Sequence, residues 1–90
     1  MPRSKSTSGK TGPTAESIFG QIVKEQRLAL GLRLVDLEIE GGLDRSHIGK
    51  IESGKVQACL RGIIQIAEGL EMTPGELMDE VMRRRELKPS

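Results

Sequence analysis

Glycines and cap residues cut this sequence into short lengths. Gly31, the Gly41-Gly42 pair, Ser53-Gly54 and Thr73-Pro74-Gly75-Glu76 punctuate it at intervals of roughly ten to twenty residues. Between the breaks, apolar residues recur three and four apart, as at Ile18, Phe19, Ile22, Val23 and Leu30. Five short helices follow. The first starts near Thr14 or Ala15 and stops at Gly31. The second covers about 34–41 and ends at the glycine pair. Asp44 caps the third, 45–52, which Ser53-Gly54 closes. The fourth covers about 60–70. The fifth, 74–85, opens with Thr73 as cap, Pro74 in the first helical position and Glu76 bonding back three residues. The predicted fold class is all-α.

Length and composition narrow the choice further. Ninety residues with one Phe and no Trp or Tyr make one small domain whose core is built from Leu, Ile, Val and Met. Such a core is marginal below about 80 ordered residues, which favours oligomerisation. The net charge of +1 conceals an uneven distribution: residues 1–14 carry +3, residues 15–82 set seven basic against twelve acidic residues, and residues 83–90 carry +3. The first fourteen residues, rich in Ser, Thr, Gly, Pro and Lys and without periodicity, are predicted to be a flexible, disordered basic arm carrying Arg3, Lys5 and Lys10. Residues 15–86 then form the folded domain.

Several function classes are excluded at this level. Gly9-Lys10-Thr11 resembles the end of a phosphate-binding loop, but position 4 is Ser where that motif needs Gly, and no strand precedes it. No nucleophile–base pair, carboxylate pair or metal-ligand cluster is apparent, so neither an enzyme nor a cofactor or metal site is expected. No apolar run approaches the roughly 20 residues of a membrane span, and the start lacks a secretory apolar segment. With a single cysteine, Cys59, a cytoplasmic setting and no membrane association are expected.

The second and third predicted helices carry the functional signal. They are short and joined through Gly42-Leu43 before an Asp cap, the pattern of a helix-turn-helix. Leu37, Leu43, Ile48 and Ile51 are expected to pack inward, leaving Arg45, Ser46, Gly49 and Lys50 outward. Arg and Lys at the start of such a helix can reach guanine O6 and N7 in a DNA major groove.

At this spacing the sequence resembles the Cro and phage-repressor type of helix-turn-helix regulator, also called the XRE family, including small controller-type proteins. The resemblance runs from about Ile18 to Met78. It is carried by Phe19-Gly20, Gly31-Leu32, Leu37, Gly42 to Ile48, Lys50 to Lys55, Leu60, Ile63, Ile66-Ala67, Leu70 and Thr73 to Leu77. It implies a sequence-specific regulator, a repressor or controller, that binds a palindromic double-stranded DNA operator as a homodimer. It also implies base contacts by Arg45, Ser46 and Lys50, backbone contacts by Arg33, His47, Ser53 and Lys55, and an ion pair between Arg27 and Glu52. The dimer is expected through the last two helices, with Met78, Val81 and Met82 as contacts.

The second helix departs from the family pattern. Arg33-Leu34 stands where Ser-Gln is usual, Glu38 where a small residue is usual, and Val35 and Ile39 where polar residues are usual; Ala58-Cys59 replaces Pro-Ser. Two other readings stay open: an antitoxin-like module binding a protein partner through Leu34, Val35 and Ile39, and a non-specific DNA-binding accessory dominated by its basic ends.

Overall fold

In the computed structural model, residues 14–87 are described, and the basic arm of residues 1–13 lies outside them. Thr14 starts the first helix: its hydroxyl accepts the Ser17 amide at 3.0 Å, while the Ser17 hydroxyl donates to the Thr14 carbonyl at 2.9 Å. Helix α1 (Ala15–Ala29) ends where Gly31 turns to a φ of +72°. There the Gly31 and Leu32 amides donate back to the Leu28 and Arg27 carbonyls, a Schellman closure. Helix α2 (Arg45–Glu52) ends in the same way at Gly54. Helix α3 (Leu60–Gly69) starts at Cys59, whose Sγ accepts the Gly62 amide. Helix α4 (Pro74–Leu87) opens with the expected reciprocal box, Thr73 N–H to Glu76 at 2.9 Å and Glu76 N–H to Thr73 Oγ1 at 3.0 Å.

The expected five helices are four α-helices and one turn among the described residues. The segment expected as the second helix, 34–41, is a single 3-10 turn, Leu34–Leu37. Two bonds account for the shortfall. The Asp36 carboxylate accepts the Arg33 amide at 2.7 Å, closing the turn on itself. The Leu37 carbonyl, free to propagate a helix, instead accepts from the Gln65 side chain at 2.9 Å. Glu38 then adopts extended backbone, and the chain runs irregularly to the Asp44 cap.

The core is aliphatic with one aromatic ring. Ile18, Phe19, Ile22 and Val23 of α1 form one buried cluster with Leu37, Ile48, Ile51, Ile66, Ala67, Leu70, Leu77 and Val81. Leu43, expected inside, is half-buried against this cluster. Helix α1 is the central element, packed on both α2 and α4. At its crossing with α2, Gly20 brings the backbones together, because a Cβ there would run into the carbonyl oxygens of Ile51 and Glu52. Gly20 thus sets how closely α2 is seated.

Candidate nucleic-acid interface

Helix α2 has two faces of different character. Ile48 and Ile51 point into the core with no exposed surface. Arg45, Ser46, His47 and Lys50 are exposed on the other side, and Gly49 between them is half-buried. The helix is short, so its orientation depends on what holds its ends. At the start, the Asp44 carboxylate accepts the His47 amide at 2.9 Å and the Glu38 carboxylate accepts the Arg45 amide at 2.6 Å. Two amides that a helix start leaves unpaired are thereby satisfied, and both carboxylates favour the positive end of the helix dipole. Position 38, where the family pattern has a small residue, supplies this second cap.

The end of α2 is held by the expected ion pair. Arg27 Nε lies 2.7 Å from Glu52 Oε2 and its Nη2 3.0 Å from Oε1, a bidentate contact; its Nη1 donates to the Leu32 carbonyl at 2.9 Å. Both side chains are close to buried, 11% and 6% exposed. The Glu52 carboxylate holds the Arg27 guanidinium above its already high value. This pair joins the last turn of α1 to the last residue of α2.

The remaining residues expected at the interface fall around this helix. Ser53 and Lys55 are exposed on either side of the Gly54 turn, and Ser53 Oγ donates to the Lys50 carbonyl. Arg33 stands at the start of the 3-10 turn that packs on α2, and its guanidinium pairs with Asp36 at 3.3 Å. The Arg33 amide and guanidinium hold the Asp36 carboxyl below its ordinary range. That pair is exposed and therefore weakly held. Among the described residues, Arg45, Lys50 and Lys55 enter no ion pair, so their charges face solvent. Three features thus converge on one surface: a solvent-facing helix start, two cations along the helix and a cation just beyond it.

Two expectations are corrected by burial. Val81, expected in a dimer interface, is 2% exposed and belongs to the protomer's own core. Met78 and Met82 remain on the surface, and so do Leu60 and Ile64, one turn apart on α3. Beside Met78 an open apolar groove of about 170 Å³ runs between α1, residues 56–58 and α4, with Val81 in its wall. Leu34, expected among exposed apolar residues of the second helix, is half-buried and packs against the core, facing Gly49. Ile39 is the exposed one, at 58%.

Sequence reasoning missed Gln65. Its side chain is buried in α3 and bonds to the segment between the 3-10 turn and α2. The signal was available: a lone amide at position 65 interrupts the inward stripe formed by Gly62, Ile66 and Gly69, and a polar group on such a stripe needs a partner.

Comparison with known proteins places the chain among regulators. It is 39% identical to the restriction-modification controller protein C.AhdI from Aeromonas hydrophila, whose crystal structure superposes with a TM-score of 0.62; the match covers 68% of this chain and 92% of that one. The clp gene regulator ClgR from C. glutamicum has the same fold, with a TM-score of 0.72 over 86% of this chain and all of that one, at 14% identity. No protein-family model and no curated protein matches the chain.

Proposed function

Since the chain belongs to the family of Cro and phage-repressor-like helix-turn-helix regulators of the small controller type, we propose that it binds a two-fold symmetric DNA operator as a homodimer and controls transcription there. The observation that carries this reading is the exposed, doubly capped start of α2, with Arg45, Ser46 and Lys50 turned to solvent. These three side chains read base edges in the major groove. Arg33, His47, Ser53 and Lys55 hold the phosphate backbone, Arg33 by exchanging its exposed partner Asp36 for a phosphate. The basic arm, Arg3, Lys5 and Lys10, adds phosphate contacts that carry no sequence information. Regulation is steric or by recruitment, in the cytoplasm, without cofactor, metal or chemical turnover.

The homodimer rests on exposed apolar surface. Met78 and Met82 on α4 and Leu60 and Ile64 on α3 are large apolar side chains left exposed, and a second copy of the chain would cover them. A two-fold axis through it sets two copies of α2 one DNA turn apart. Among the described residues no helix is long and apolar enough to cross a membrane.

The test is selection of bound duplexes from a random pool at near-physiological salt. The expected result is a palindrome with half-sites about one helical turn apart, lost on Arg45→Ala or Lys50→Ala. Recovery of no motif by a folded protein overturns this reading. One observation favours a second one: exposed Ile39, beside half-buried Val35 in a shallow dimple, offers an apolar contact for a protein partner, as in an antitoxin. In that case Ile39→Asp abolishes partner capture and leaves duplex binding intact.

A further inference from the structure

We propose that Gln65, on α3 and remote from the reading face, sets the pose of α2, and that it does so through its side-chain amide; the consequence for DNA rests on the function proposed above. The first half of this helix-turn-helix is only the 3-10 turn Leu34–Leu37, so the usual helix-on-helix face that orients a recognition helix is reduced to four residues. Between that turn and the Asp44 cap lie six residues without regular structure. Such a segment has many conformations of similar energy unless its polar groups are fixed.

The Gln65 carboxamide fixes both of its ends. Nε2 donates to the Leu37 carbonyl at 2.9 Å and to the Leu43 carbonyl at 3.1 Å, while Oε1 accepts the Leu43 amide at 2.9 Å. Leu37 is the last residue of the 3-10 turn, and Leu43 immediately precedes the cap of α2. One planar group, on a residue 6% exposed, thus ties the start and the finish of the segment to α3. Three of its four hydrogen-bonding positions are used, and both Nε2 protons have carbonyl acceptors. The Glu38 bond to the Arg45 amide closes the same segment from its outer side.

Gly42 is the other half of the arrangement. A Cβ there would collide with Gln65 Oε1 and with the Ile39 side chain. Its φ is not positive, so the glycine serves space and not a left-handed backbone. Removing the carboxamide strands two carbonyls and an amide in a half-buried place, and the segment must move to rewet them. Helix α2 moves with it, because Leu43 and Asp44 are its entry.

The test uses the full chain with Gln65→Met, close in volume and without the bonds, and Gly42→Ala, which displaces the carboxamide without removing it. Residual dipolar couplings of the α2 amides, read against those of α1 and α3, report the pose without DNA. Preference for the duplex selected by the native protein over a scrambled duplex reports the consequence. The expected result is altered α2 couplings with unchanged α1 and α3 couplings, and a preference lowered by roughly tenfold or more in the folded protein. Native couplings in both variants overturn the proposal. Altered couplings with native duplex preference overturn it too, since the pose would then not govern reading. If the native protein prefers no duplex, the DNA-binding reading fails, and the couplings alone still decide whether Gln65 sets the pose. Should Gln65→Met not fold, Gly42→Ala carries the same measurements.

Discussion

Two side chains on α2, two residues apart in sequence, are predicted to behave very differently when truncated. Glu52 is 6% exposed and receives two bonds from Arg27, whose own guanidinium is almost as enclosed. Glu52→Ala leaves a buried cation without its counter-charge, a loss of roughly 3 kcal/mol. Lys50 is exposed and, among the described residues, enters no ion pair, so Lys50→Ala changes stability by about 0.5 kcal/mol or less. Thermal unfolding of the two variants checks this, and equal melting temperatures refute it. The Arg27–Glu52 pair was legible from motif alignment alone, since nothing in the local pattern of α1 distinguishes Arg27 from a surface arginine. Gln65 was legible only as a polar residue on an apolar stripe; its partners lie 22 and 28 residues away, and no local pattern names them.

At the scale of elements, helix ends are more legible in the sequence than helix extents. Caps act within a turn, so Thr14, Asp44 and the Thr73–Glu76 box appear where short-range chemistry puts them. The 3-10 turn reads as a longer helix in the sequence because apolar residues at 34, 35, 37 and 39 fit helical spacing, while the competing donor to the Leu37 carbonyl comes from α3. The end of α3 hides another such case. It closes as α1 and α2 do, with the Met72 amide bonded to the Ala67 carbonyl at 2.9 Å, but the left-handed position is Glu71, at a φ of +63°, where the other two helices have glycine. A residue with a Cβ is strained there by about 1 kcal/mol. Glu71→Gly is therefore expected to stabilise the protein by about 0.5 kcal/mol, net of the extra freedom glycine gives the unfolded chain. Denaturant unfolding with an unchanged slope and a raised midpoint would show it.

Across the whole molecule, α4 is fastened to α1 by charge as well as by Leu77 and Val81. Arg84 donates to Glu25 at 2.7 Å and to Glu80 at 2.8 Å, and Glu80 also pairs with Arg83. The Arg84 bond holds the Glu25 carboxyl below its ordinary range, and the Arg83 and then Arg84 bonds do the same for Glu80. Folded-state values below unfolded ones mean that the unfolded chain takes up protons first. The contribution is therefore complete above the unfolded glutamate value, about 4.3, and is lost as pH falls below it. Melting temperatures of the native protein should drop more steeply between about pH 5 and pH 3 than those of Arg84→Met; parallel curves would remove the link. The arm tests the proposed function at this scale. Deleting residues 1–13 is expected to reduce the salt dependence of duplex binding by up to about three counterions while leaving the preferred duplex unchanged, and an unaltered slope would show the arm to be idle.

The division of α2 into an anchored side and an open side has a consequence for how such a protein can diversify. Ile48, Ile51 and Glu52 carry the fold, and Arg45, Ser46 and Lys50 carry none of it. If the open side reads DNA as proposed above, substitutions there change the preferred duplex with little effect on how populated the native state is, so a lineage can do so in single steps without passing through a poorly folded intermediate. The anchored side has no such latitude, and neither does Gly20, whose missing side chain sets the distance between α1 and α2. On the proposed function, specificity is therefore free to drift while the architecture is not.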